Sequence, residues 1–161
     1  MSALYAPPGS RFPADETPIA EIMTRDVVAV APSMPLEELA ALLLERGITG
    51  APVVDDEGRP IGMVSKTDLL WEQRSQLDGQ PRPTVDGIMS TSMVTLAESA
   101  TIARAAAVMA YEGIHRIPIV APDGRLVGQV SALDVLAWLG RHEGYVVTQV
   151  AHVSPAGERK P

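Results

Sequence analysis

Two periodicities, one of strands and one of helices, alternate along this chain, and the whole alternation occurs twice. Val27-Val28-Ala29-Val30 is a short apolar run rich in β-branched residues, which predicts a strand. Leu36, Leu39, Leu42 and Leu43 then recur at helical spacing and predict a helix from Met34 to Arg46 with one buried face. Ser33 is the expected cap of that helix, Pro35 falls in its first turn, and Gly47 marks its stop. Pro52-Val53-Val54 predicts a second strand, Asp55 to Gly58 a turn, and Ile61 to Val64 a third strand. A further helix opens at Ser65 and carries Leu69, Leu70 and Trp71.

The same β-α-β-β-α order returns downstream. Strands are expected at Val94 to Leu96, Pro118 to Val120 and Val127 to Val130, with helices at Ala100 to Glu112 and Ala132 to about Gly140. Ile22 to Leu70 aligns with Ile88 to Leu136 without a gap, at a constant offset of 66 (88 minus 22). About 18 of the roughly 49 paired positions are identical, which is the signature of an internal repeat. The densest match sets Gly62-Met63-Val64-Ser65-Lys66-Thr67-Asp68 against Gly128-Gln129-Val130-Ser131-Ala132-Leu133-Asp134. At about 50 residues, one unit alone buries too little surface for independent stability. Two copies packed face to face would cure that and leave a pseudo-twofold cleft between them.

The pattern therefore divides the chain into five stretches. Residues 1–18, with prolines at 7, 8, 13 and 18, read as an extended or disordered arm. Residues 19–72 form the first repeat, 73–84 a linker, 85–140 the second repeat, and 141–161 a tail. Within that tail, Tyr145 to Val150 has the character of one extra strand.

Composition narrows the chemistry. The apolar fraction of 46% supplies a real interior, while aromatics at 4% require it to be packed from Val, Ile, Leu, Ala and Met. No apolar run approaches the roughly 18 residues of a bilayer span, and no secretory signal is visible at the N-terminus. With no cysteine, thiol nucleophiles, thiolate zinc sites and disulfides are all excluded, which suits a cytoplasmic location. His115, His142 and His152 are not at metal-ligand spacings, so no metal site is expected; Asp55-Asp56-Glu57 reads as a solvated turn. The net charge of −7 argues against nucleic acid and anionic membranes as partners. No nucleophile-base-orienter set is visible, so an enzyme is not expected.

Assembled in one register and doubled, these motifs resemble a tandem cystathionine β-synthase (CBS) domain pair, also called a Bateman module. The marks are Ile22-Met23 and Ile88-Met89 near each start, Gly47-Ile48 and Gly113-Ile114 ahead of a Pro-containing strand, and Gly-apolar-apolar-Ser-x-x-Asp before the last helix. The resemblance spans roughly Ile19 to Leu139 and implies an α/β (α+β) fold of two repeats with pseudo-twofold symmetry. It further implies a regulatory module, here without an obvious effector domain, that binds an adenosine-containing ligand between the repeats. Through the family, Ser65 with Asp68 and Ser131 with Asp134 are expected to hold ribose, and the segment before each strand proline (Ile48, Thr49, Ile114, His115) to line adenine.

These residues carry a second reading. Ser-x-x-Asp ahead of an apolar helix is also close to a capping box, stabilising with no ligand at all, and the two roles can coexist. Met23 and Met89 occupy matching positions, suited to packing and able to support an adenine ring. His115-Arg116 resembles the His-Arg segment that meets nucleotide phosphates in the γ subunit of AMP-activated protein kinase, and Lys66 offers one more cation. Thr49-Gly50 replaces His115-Arg116 in the first copy, so the two clefts are expected to differ. The resemblance favours AMP, ADP or ATP over S-adenosylmethionine or NAD, a homodimer through the CBS helices, and an effector protein of unknown identity. The alternative is a constitutive dimerisation scaffold with vestigial clefts.

Overall fold

The computed structural model describes residues 13–75 and 84–147. A short helix α1 (Pro13–Glu16) and a 3-10 turn (Ile19–Glu21) lead into the first repeat. It comprises α2 (Leu36–Glu45), β1 (Gly50–Val54), β2 (Pro60–Ser65) and α3 (Lys66–Ser75). After a second 3-10 turn (Val85–Gly87) come β3 (Leu96–Ala97), α4 (Ile102–Glu112), β4 (Arg116–Val120), β5 (Leu126–Ser131) and α5 (Ala132–His142). β1 and β2 pair antiparallel; β4 pairs antiparallel with β5 and parallel with β3. The repeat extends to its irregularities, since the register shifts at Val53/Val54 in one hairpin and at Ile119/Val120 in the other.

The leucine spacing of α2 buries Leu36, Leu39 and Leu43 against Val53 and Val64, while in α4 Ile102, Ala105 and Met109 meet Ile117 and Val130. Each helix stops at a glycine in the left-handed region, Gly47 at φ 62° and Gly113 at φ 66°, a conformation that side chains with a Cβ resist.

The repeats exchange their leading segments. Ile19 and Met23, at the start of the first repeat, lie in the core built by α4, β4 and β5, whereas Val85, Ile88 and Met89, at the start of the second, pack into the core of α2, β1 and β2. Backbone pairing follows the same exchange. Thr24 and Gln129 donate to each other's carbonyls at 2.9 Å, and Met63 and Ser90 do so at 3.0 and 2.9 Å. Gly128 and Gly62 make this possible: a Cβ at Gly128 would sit 2.6 Å from Met23 Sδ, and one at Gly62 would sit 2.9 Å from the Ser90 carbonyl oxygen.

Several expectations are corrected here. The predicted strand Val27–Val30 contracts to one parallel bridge, Val30 with Val53, because Val27 and Val28 turn away to line a cleft. In the second repeat, Val94 is likewise a cleft residue and β3 begins only at Leu96. Helix α2 starts at Leu36 with Pro35 at the capping position and no side-chain cap, so Ser33 is not its cap. Proline disfavours the helical region for the residue before it, Met34, and delays the start. Helix α4 starts after Thr101, whose Oγ1 accepts from the Arg104 N–H at 3.2 Å. Part of the supposed arm is ordered: α1 is helical, and Thr17 accepts a backbone bond from Ile102 at 3.0 Å. Tyr145 to Val147 takes no strand, and the rest of that expected segment, like 1–12 and most of the linker, lies outside the described residues.

Replacing Gly62 by Ala should cost about 1–3 kcal/mol, because the colliding Ser90 carbonyl is backbone and cannot rotate aside. Urea unfolding measures this; an unchanged midpoint would show that the exchanged segment can shift at no cost.

Candidate functional site

Both Ser-x-x-Asp segments form the start of a helix. At α5, Ser131 Oγ accepts from the Asp134 N–H at 3.2 Å, while Asp134 Oδ2 accepts from the Ser131 N–H at 2.8 Å and from its hydroxyl at 2.7 Å. At α3 the corresponding distances are 3.3, 2.7 and 2.6 Å for Ser65 and Asp68. These are capping boxes, satisfying N–H groups at the helix start. In each case Oδ2 does the capping, and Oδ1 has no partner among the described residues. A carboxylate oxygen in that state can accept hydroxyl protons from a ligand while its twin holds the helix.

Each box borders a cleft lined from both repeats. The Asp134 cleft encloses about 420 Å³ and takes Ser131, Asp134 and Gln129 from the second repeat, with Ile48, Val27 and Val28 from the first. The Asp68 cleft encloses about 540 Å³ and takes Ser65, Asp68 and Met63 from the first repeat, with Ile114, Met93 and Val94 from the second. Both volumes suit a small organic ligand. Ile48 and Ile114 correspond at the repeat offset, yet each lies in the cleft whose Ser–Asp pair comes from the other repeat. The hydroxyl-accepting end and the apolar end of a cleft thus have different origins.

His115 and Arg116 line both clefts. Arg116 donates from Nη1 to the Gly50 carbonyl at 3.1 Å. Arg116 and Gly50 are themselves corresponding positions (116 minus 50 is 66), so they meet at the pseudo-twofold axis. Gly50 has no room for a side chain within its own hairpin, since a Cβ there would lie 2.8 Å from the Val64 carbonyl oxygen. Four of the five guanidinium N–H groups are not needed for the Gly50 contact and remain able to bind an anion.

Of the other expected site residues, Thr49 lines the Asp68 cleft, while Lys66, Met23 and Met89 line neither. The Lys66 backbone N–H bonds the Thr49 carbonyl at 2.9 Å, as Ala132 bonds His115 at 2.9 Å. The two methionines, proposed for adenine, instead press on the strand glycines of the opposite repeat, and Met23 is only 8% exposed. Reasoning from sequence missed Thr24, Asp26 and the valines at 27 and 28, together with Ser90, Ser92, Met93, Val94 and Glu112. Their signal was present as apolar pairs at the repeat offset (Val27 with Met93, Val28 with Val94) but was absorbed into a strand assignment. Among the described residues no cluster of His, Asp and Glu could hold a metal, and no helix is long and apolar enough to cross a membrane.

The CBS domain pattern matches residues 19–74 and again 85–141, and the chain belongs to that family as a tandem pair. An uncharacterised protein of Methanopyrus kandleri is 31% identical over 118 residues, which is 73% of this chain and 60% of that protein. Several further relatives are matched over only 22% to 48% of their length. Among solved structures, CBSX2 (an Arabidopsis thaliana protein) in complex with AMP superposes with a TM-score of 0.71 at 26% identity, covering 79% of this chain and 98% of that one. The cytosolic domain of the Mg2+ channel MgtE in complex with ATP gives 0.65 at 31% identity, covering 76% and 49%.

Replacing Ser65 or Ser131 by Ala removes a cap acceptor and should lower unfolding stability by about 0.5–2 kcal/mol each. The two losses should add in the double variant, because the boxes belong to separate helices. Chemical denaturation of the three proteins checks this, and no loss in either single variant would mean that the hydroxyls do not stabilise their helices.

Proposed function

We propose that this CBS pair is a regulatory module that binds an adenosine-containing ligand carrying phosphate, with AMP, ADP or ATP favoured over S-adenosylmethionine and NAD. The observation that carries it is the grouping in each cleft of a capped Asp with an uncommitted carboxylate oxygen, an apolar wall from the opposite repeat, and Arg116. Ser65 with Asp68, and Ser131 with Asp134, would take the ribose hydroxyls; Ile48, Thr49 and Ile114 would flank the base; His115 and Arg116 would meet phosphate. That related CBS structures were solved with AMP and with ATP supports the choice of ligand class. No catalytic step is assigned to either cleft.

Because a single Arg116 serves both clefts, two phosphate-bearing ligands would compete for one guanidinium, and one tight site per chain is expected. Ligand bridging the repeats would favour one relative packing over another, by as much free energy as its affinities for the two packings differ. An effector protein would read that packing.

Calorimetric titration with AMP, ADP, ATP, NAD and S-adenosylmethionine should give a dissociation constant of about 1–100 μM for a phosphate-bearing adenosine ligand. Arg116→Ala should weaken it about tenfold or more and leave adenosine itself little changed. Silent titrations across the panel, with an unmoved melting temperature, would favour the scaffold reading instead.

One observation speaks for association with a second copy under either reading. α3 and α5 expose apolar side chains at corresponding places, Leu70 at 65% and Leu136 at 60%, beside Trp71 and Leu133. Such a face suits a homodimer contact. Leu136→Glu should convert a dimer to monomer in sedimentation equilibrium; a monomeric parent protein would dispose of the dimer.

A further inference from the structure

α2 packs beside α3, and α4 beside α5, so each repeat presents a layer of two helices. The side chains that these layers leave exposed differ in charge at corresponding positions. In the first repeat, α2 exposes Glu38, Ala41, Leu44 and Glu45, spaced to form one stripe. In the second, α4 exposes Arg104, Ala107, Ala110 and Tyr111 at the same places (38 plus 66 is 104). A guanidinium and a phenol thus stand on one half where carboxylates stand on the other. Arg46 and Glu112 would blur that contrast, but they too are equivalent positions, and each lies a step of about 100° around its helix past the stripe. Glu112 lines the Asp68 cleft instead.

Bulk follows the same division. Trp71 is exposed on α3, whereas α5 has Ala137 at that place; Leu44 is exposed on α2, whereas α4 has Ala110. Leu70 and Leu136 are equivalent, alike and both exposed, so they mark the apolar centre common to the two layers.

A twofold dimer through these layers can be assembled in two ways. Head to head, each layer meets its own copy. Glu38 and Glu45 then stand against the partner's Glu38 and Glu45, and the two copies of Trp71 crowd one interface while Ala110 and Ala137 leave the other thinly filled. Head to tail, each first-repeat layer meets the partner's second-repeat layer. Carboxylates then face Arg104, and large side chains face small ones.

We infer that the second copy binds head to tail, with the α2–α3 layer of one chain on the α4–α5 layer of the other. The inference rests on the homodimer reading above and deepens it: the two repeats diverged on their outer helices as two complementary halves of one interface.

The chain has no cysteine, so single substitutions report this geometry directly. Leu70→Cys and Leu136→Cys proteins are treated with a short bis-maleimide, each alone and as an equimolar mixture left to exchange subunits. Sedimentation equilibrium is run on the same samples and on wild type. Covalent dimer should form in the mixture and be lost when either variant is alone. Self-linking of a single variant as efficient as in the mixture means a head-to-head dimer and overturns the inference. Glu45→Arg reads the same question without cysteine: it should raise the dimer dissociation constant about threefold, and an unchanged or tighter dimer overturns the inference. Wild-type dimers that no combination links place the interface elsewhere, which overturns the inference and leaves association standing. Monomeric wild type removes the homodimer reading and the inference together.

Discussion

Everything in this molecule depends on the reciprocal docking of each repeat's leading segment against the other repeat's last strand. Thr24 pairs with Gln129 while Met23 covers Gly128; Ser90 pairs with Met63 while Met89 covers Gly62. Neither repeat has a complete core without this exchange, since Ile19 and Met23 are buried among second-repeat residues and Val85 among first-repeat ones. The glycines are the permissive element. A Cβ at Gly62 would press on Met89 and the Ser90 carbonyl, and one at Gly128 on the Met23 side chain, so a side chain at either position strains the docking of the segment opposite.

The exchange also explains why the clefts are composite. Once Thr24 is fixed on β5, the chain that follows it, Val27 and Val28, must run past the Ser131–Asp134 helix start; once Ser90 is fixed on β2, Met93 and Val94 pass the Ser65–Asp68 start. The walls of each cleft are thus a consequence of folding stability, and a ligand occupying one would contact both repeats. Any such contact is sensitive to their relative position, which makes the arrangement suited to sensing.

Symmetry is broken at the axis. Gly50 and Arg116 occupy equivalent positions, and the first contributes a backbone carbonyl that accepts from the guanidinium of the second at 3.1 Å. The side chain with the charge then faces both clefts. The capping boxes show a comparable economy: Asp68 and Asp134 each hold a helix start with Oδ2, leaving Oδ1 for other chemistry. Stabilising and ligand-binding readings of Ser-x-x-Asp are compatible because a carboxylate has two oxygens.

The sequence by itself determined the duplication, the α-β-β-α order within each copy, the helical core faces and the helix stops, because these depend on local periodicity and on residues such as Gly47 and Gly113 whose backbone freedom is intrinsic. The doubled Ser-x-x-Asp marked Ser65, Asp68, Ser131 and Asp134, and the resemblance to a CBS pair added His115 and Arg116, which have no equivalent in the first copy. Only the tertiary structure decided which residues share a cleft. Ile48 and Asp134 are 86 positions apart (134 minus 48) and meet through packing, which leaves no periodic trace. For the same reason Val27 and Val28 read as strand, though they turn into a cleft wall, and Met23 and Met89 read as packing residues able to support an adenine ring, with no sign that opposing glycines seat them in the interface between repeats. A β-branched run carries its local preference wherever it lies; whether a neighbouring strand is there to pair with it along its length depends on the whole fold.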